Sequence, residues 1–566
     1  MAFQVSPGVN VSEIDTTTVV PAVSTSTGAI AGAFQWGPID VLRQVASEDE
    51  LVRVYGKPDS TTAVPFFTAA SFLSYSNSLF VSRADAGQMN SAVALNVDPT
   101  GCASNVKVKS EDHYFASYHN ASNSDIAFAA RYPGARGNSL KIAIIANANS
   151  GATFTGADYA SYFDGPPGTS TWVAANAYAH ANDEMHIAVI DEDGLFTGTP
   201  GTVLERFAHV SKATNAKDES GNSLYYRDVL FQNSRYVYAL GKNNETWGTA
   251  ANSDFEFEGE NLTISFTRGV DDTPTTANVT TAYNQFDSSD NVDISLVMTA
   301  GHAASVVGNV ITLAGTRRDC VALVSPALAN VQAADPVSAI VNYRNNALAN
   351  VSSSFAIMDS NWKYMYDKYN DTYRWIPCNG DVAGLCARTD ADRDPWFSPA
   401  GFNRGQLKNV IKLAFNPNQS QRDTLYKAGV NPVVSFPGEG TILFGDKTLL
   451  SKPSAFDRIN VRRLFIVLEK AIARAARASL FEFNDEFTRA QFINLVEPFL
   501  RLVQGRRGIY DFRVVCDETN NSPEVIDRNE FVGDIYIKPA KSVNFIQLNF
   551  VAVRTGVAFD EIVGRF

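Results

Sequence analysis

RINVRRLFIVLEKAIARAARASL, residues 458–480, is the most regular segment of the 566-residue chain. Leu464, Leu468, Ile472 and Ala475 recur at helical spacing and predict an apolar arc that faces a core. Arg463, Lys470, Arg474 and Arg477 fall within about 60° of one another at ~100° per residue, so they predict a basic stripe beside that arc. A second helix is predicted over Thr488–Gln504, stopped by Gly505. FRVVCD (512–517), VGDIYIKPA (532–540) and VNFIQLNFVAVRTG (543–556) then read as strands. In the last, Ile546, Leu548, Phe550 and Ala552 alternate with Phe545, Gln547, Asn549 and Val551. Two helices followed by strands predict an α+β domain over 456–566 whose sheet needs further strands to cover its edges.

The opposite end of the chain supplies a candidate for those strands. Phe3, Val5, Val9 and Val11 alternate with polar residues around the Pro7-Gly8 turn, which predicts an extended arm reaching Ile14. The stretch DTTTVVPAVSTST that follows is linker-like. A strand with no local partner must find its hydrogen bonds elsewhere. Val557, Phe559 and Ile562, after Gly556, mark a second candidate arm.

Between the arms the predicted order is an arm and linker over 1–22, a first core segment over 23–95, a β-rich insertion over 96–335 and a second core segment over 336–455. The first core segment opens with the apolar strand GAIAGAF and the turn Trp36-Gly37-Pro38. Ser47 caps a predicted helix with an acidic first turn, and Gly56 closes it. Another helix around Phe66–Tyr75 leads to a strand at Leu79–Arg83. The insertion is rich in Ser, Thr, Asn, Asp and Gly, with short alternating runs such as KIAIIANA and LTISFTRG. Within it, VDISLVMT and CVALVSP hold short, fully apolar strand cores and predict a local parallel α/β unit. Residues 336–450 read as loop-rich, with Trp362, Tyr364, Tyr366, Tyr369, Tyr373 and Trp375 as packing aromatics. The fold class predicted is thus mixed α+β and multidomain.

Composition narrows function. The net charge is −13, which opposes nucleic acid as a main partner because phosphate binding needs a basic footprint. No run of 18 apolar residues is present, and the start MAFQVSPGVNVSEID predicts neither a leader peptide nor membrane insertion. Cys102, Cys320, Cys378, Cys386 and Cys516 are odd in number and scattered, so reduced thiols, mostly buried, are expected.

A catalytic reading finds little. GTILFGDKT, residues 440–448, resembles a phosphate loop, but Asp446 separates the glycine from Lys447 and would repel phosphate. No G-x-S-x-G elbow is present, and residues 303–566 contain no histidine. Asp390, Asp392 and Asp394 mimic the start of a calcium loop without its glycine and closing glutamate, so a solvated loop or a weak cation site is expected. No catalytic residue, metal site or cofactor is predicted.

Several segments, in order along the chain, resemble the contractile phage tail sheath family. They are SPGVNVSEID (6–15), GAIAG (28–32) with Trp36-Gly37-Pro38, and YPGARGNS (132–139). Pro377 with GDVAG (380–384) and ARTD (387–390), then DPWFSPAG (394–401), FEFND (481–485) and Cys516-Asp517 with NNSP (520–523), complete the set. The insertion matches worst. The resemblance implies a structural subunit, not an enzyme, stacked in rings around a tail tube protein. Baseplate and tail terminator proteins would meet the ends of the stack, and assembly would take place in the host cytoplasm. It implies that Phe3, Val5, Val9, Val11, Ile14, Val557, Phe559 and Ile562 lie in arms exchanged between subunits. It also implies that the 456–566 domain faces the tube, which makes Arg463, Lys470, Arg474 and Arg477 candidate tube contacts. A metastable extended lattice would contract without a nucleotide. A sheath of a tailocin or other cellular injection device is an alternative with the same chemistry. A secreted β-rich hydrolase is another, and would need an export signal.

Overall fold

The computed structural model describes residues 25–95, 105–119, 126–146, 154–176, 182–240, 261–544 and 547. The chain divides into a larger unit, Val20–Pro395 with Pro399–Ala478, and a smaller one that contains Trp396–Ser398 and Ser479 onward.

The larger unit is organised by a seven-stranded sheet. Its order is Val430–Asn431, Ala356–Asp359, Val321–Val324, Leu296–Met298, Gly28–Gly32, Leu79–Arg83 and Arg43–Val45. All neighbours are parallel except Arg43–Val45, which runs antiparallel at one edge. Strand alternation sends Ile30, Leu79, Leu296, Leu323 and Ile357 to one core, with Phe66, Phe72, Val382 and Leu385 from covering helices. Ala29, Ala31, Val297, Ala322 and Met358 face a second core with Val279, Val306, Val310 and Ile340. Burial on both faces explains why these strands are apolar throughout.

Two expectations shift here. VDISLVMT and CVALVSP, placed by sequence inside the outer insertion, supply two central strands of this sheet, the first paired with Gly28–Gly32 and the second with the first. The insertion therefore closes before them, not at residue 335. The region 336–450 is also more regular than its composition suggests, with helices at Pro336–Asn342, Asn379–Asp392 and Gln419–Lys427. The helix Asn379–Asp392 lies against Ala63–Leu73, and two glycines permit this. A β-carbon at Gly380 would come within 2.4 Å of the Thr68 carbonyl, and one at Gly384 within 2.2 Å of the Tyr75 ring.

The insertion is antiparallel. A four-stranded sheet is ordered Leu262–Ser265, Leu140–Ala146, Glu184–Asp191, Thr202–Ser211. A three-stranded one joins Val93–Leu95, Ile126–Ala130 and Val237–Ala239. Arg83, fully buried at the end of a core strand, donates to the carbonyls of Phe34, Gln35, Gly37 and Pro133. One guanidinium thus ties the core turn to the PG-x-x-GN element of the insertion.

In the smaller unit Asp485 caps the helix Glu486–Gly505 by accepting from the Thr488 amide. Phe492, Val496, Leu500 and Val503 form its buried face. A two-stranded antiparallel sheet follows, Ile509–Val515 with Asp534–Pro539. Trp396 donates its indole N–H to the Arg506 carbonyl, and Gly508 sits against the indole ring.

Candidate assembly surfaces

Phe3, Val5, Val9, Val11, Ile14, Val557, Phe559 and Ile562 lie outside the described residues. What is described is the sheet that arms could complete. Among the described residues the Ile509–Val515 hairpin pairs only within itself. Tyr510 and Tyr536 project into solvent from it. Two strands alone are marginal in water, and the outer edges of such a sheet are where a further strand can add.

The basic stripe is placed differently from expectation. The helix runs Ile459–Ala476 within the larger unit, and its first half is buried nearly all round. Arg463 is 4% exposed, and its Nη2 lies 2.7 and 2.5 Å from the two Asp390 oxygens. Nη1 reaches the Cys386 carbonyl at 3.3 Å. Burial penalises this guanidinium, but Asp390 more than offsets the penalty and holds it above its ordinary value. Lys470, also largely buried, donates to Asp293, the Ile294 carbonyl and Ser295. Arg474 and Arg477 reach solvent, beside Asp293 and Asp290. Angular position on a helix predicted the stripe but could not show that Asp390 and Asp293, 73 and 177 positions away, had already claimed Arg463 and Lys470.

Asp390 is corrected by the same geometry. It sits in a helix, not a solvated loop, and is closed off by Arg463 and by the Thr25 hydroxyl at 2.7 Å. Close by in sequence, Ser76 donates to the Ser26 carbonyl, while the Ser295 and Leu296 amides donate to the Thr27 carbonyl. The root of the N-terminal linker is therefore fixed to the central sheet.

Sequence reading missed a buried polar group at the carboxyl ends of the strands. Asp359 accepts from the Ser325 hydroxyl at 2.5 Å and the Asn361 amide at 2.9 Å. Lys363 pairs with Asp381 at 2.8 Å, and Tyr75 donates to the same carboxylate. Burial, with Asp381 nearby, pushes the Asp359 carboxyl up to about 7. Burial likewise raises the Cys378 thiol, and Cys320, Cys378, Cys386 and Cys516 are free and buried. Cys102 lies outside the described residues. Among the described residues no group of three or more His, Cys, Asp or Glu side chains is arranged to hold a metal, and no helix is long and apolar enough to cross a membrane. The near phosphate loop is part of a hairpin: Gly440–Leu443 pairs with Val433–Phe436. Asp446 is taken by Tyr426 and Arg458.

Comparison with known proteins gives two family matches. Residues 273–449 match the phage tail sheath protein central domain and residues 451–552 the phage tail sheath C-terminal domain. The tail sheath protein of Vibrio phage KVP40 is 35% identical, with 99% of each chain covered. That of Enterobacteria phage T4 is 34% identical, again over 99% of each. Among solved structures, a sheath tail protein from Listeria innocua aligns over 92% of this chain and 96% of its own, at 13% identity and a TM-score of 0.53. One from Desulfitobacterium hafniense aligns over 90% and 94%, at 12% identity and a TM-score of 0.51.

Proposed function

This chain belongs to the phage tail sheath protein family, and from that premise we propose how its surfaces build a sheath. It is a structural subunit of a contractile phage tail. The subunits polymerise around the inner tube in an extended, metastable lattice. Contraction to a lower-energy lattice drives the tube through the host envelope. Assembly takes place in the host cytoplasm, and baseplate and terminator proteins bound the two ends.

The observation that carries the assembly reading is the two-stranded sheet of the smaller unit, which pairs only within itself among the described residues. Arms from neighbouring copies, built on Phe3–Ile14 and Val557–Ile562, add to such an edge through backbone hydrogen bonds. Each bond contributes about 0.5–1.5 kcal/mol net, so a strand of six yields several kcal/mol per link. The linker ahead of Thr25 lets the larger unit rotate while the arm stays paired. With Arg463 and Lys470 spent inside the subunit, a basic contribution to tube contact falls to Arg474 and Arg477.

Deletion of residues 1–15 tests this. The truncated subunit is expected to keep the circular dichroism and unfolding midpoint of the full chain. It is expected to form no tubular polymer in electron micrographs. Normal sheaths from it would refute arm exchange.

A further inference from the structure

The helix Glu486–Gly505 has 20 residues, so its ends stand about 30 Å apart. Just ahead of it and on its first turn, Phe481 is fully exposed, Phe483 83%, Phe487 76% and Leu480 63%. Together they present on the order of 600 Å² of apolar surface, at roughly 200 Å² per aromatic side chain. That is the upper limit of what a monomeric protein leaves open, and it approaches the roughly 800 Å² per partner of a stable interface. Glu482 and Glu486 are exposed within the same patch, which is therefore apolar and acidic.

The far end of the helix has the opposite charge. Arg501 and Arg507 are exposed there beside Leu502 and Tyr510, which are 53% and 67% open. The Gln504 amide donates to the Tyr510 carbonyl and folds the hairpin's first strand back onto this end. Arg501 meets Glu497 one turn earlier, in a pair exposed enough to exchange. Between the two ends the open positions include Gln491, Asn494 and Pro498, and no large apolar side chain. Side-by-side pairing would bury amides for little gain, so the apolar surface favours contact end to end.

We propose that the acidic aromatic end, Leu480–Phe487, docks on the basic end of the same helix in a second copy of this chain. A contact between two different patches is head-to-tail, so it repeats from copy to copy, as a ring where the rotation closes and as an open helical array where it does not. The inference rests on the reading of the chain as a self-assembling sheath subunit, and adds to arm exchange a side-chain contact with its own chemistry.

Charge reversal at each end, singly and together, tests it in the full-length protein. E482K/E486K and R501E/R507E are each expected to raise the concentration needed for polymerisation about tenfold. The four substitutions combined are expected to restore assembly, because both patches have then changed sign. F481S/F483S is expected to raise that concentration a hundredfold or more. Thermal unfolding of each variant checks the fold. A chain carrying F483C and L502C supplies an independent measurement, with disulfides expected between chains in the polymer and not in dilute monomer. Charge variants that assemble as the parent does, a folded fourfold variant that fails to recover, or an absent cross-link would each overturn the contact. A closed dimer would overturn it in favour of an isologous pairing. Normal polymer from variants that no longer assemble on tubes would overturn it in favour of the tube as occupant. If the unmodified chain forms no polymer, the sheath-assembly reading itself fails.

Discussion

The seven-stranded sheet of the larger unit and the two-stranded sheet of the smaller one treat charge and aromatic side chains in opposite ways. In the first, helices cover both faces, and the ion pairs Arg463–Asp390 and Lys363–Asp381 are sealed from water. In the second, both strands carry exposed aromatics, and the cross-strand pair Lys538–Asp511 lies open to solvent. The larger unit thus seals these charges inside its own cores. The smaller one leaves more apolar surface open, so on the proposed reading part of its stability is expected to come from assembly.

Three measurements on the subunit test that contrast. Asp390→Asn should have the largest effect, because it leaves the Arg463 guanidinium buried without its counter-charge. The expected loss is about 3–5 kcal/mol in chemical denaturation, while R463M/D390L together should recover most of it. Next comes acidity. The folded state prefers Asp359 protonated, with its carboxyl held near 7, well above the ordinary carboxylate range. Its stabilising contribution is complete below about pH 4, declines as pH rises towards 7 and is flat above that. The decline amounts to up to about 4 kcal/mol. Denaturation midpoints between pH 4 and 8 should show the slope, and Asp359→Asn should remove it. The smallest effect is expected from Lys538→Ala, which should leave the unfolding midpoint of the dispersed subunit within experimental error. A clear fall would mean that the hairpin already carries its own stability.

Local signals read well. Ser47 accepts from the Glu50 amide and Gly56 ends the helix, as the spacing of those residues predicts. The strands Gly28–Gly32 and Leu79–Arg83 lie where their apolar runs do. Pairing between distant segments was not legible. Gly28 sits beside Leu296 and Ala322 beside Ala356, and nothing in any one of these short runs names its neighbour. The same blindness misplaced Arg463, since helical periodicity gives an angle but not what stands opposite. Asp359 and Lys363 gave no signal, since Asp359 begins a short polar run, Asp-Ser-Asn, that looks like any turn, and Lys363 is a single charge between aromatics. The glycines of GDVAG, by contrast, carry their reason in the structure as points where two helices nearly touch.

The seating of Thr25 has a mechanical consequence. From this residue the chain runs straight into Gly28–Gly32, a strand held on both sides by parallel neighbours. Were the proposed arm to carry load, a pull along this strand would strain its hydrogen bonds to both neighbours together, in shear. A tether attached at an outer strand would unzip under far less force. The Thr25 bond to Asp390 adds a stop just ahead of the strand. Load passed between subunits through such an arm would thus fall on a strand with neighbours on both sides.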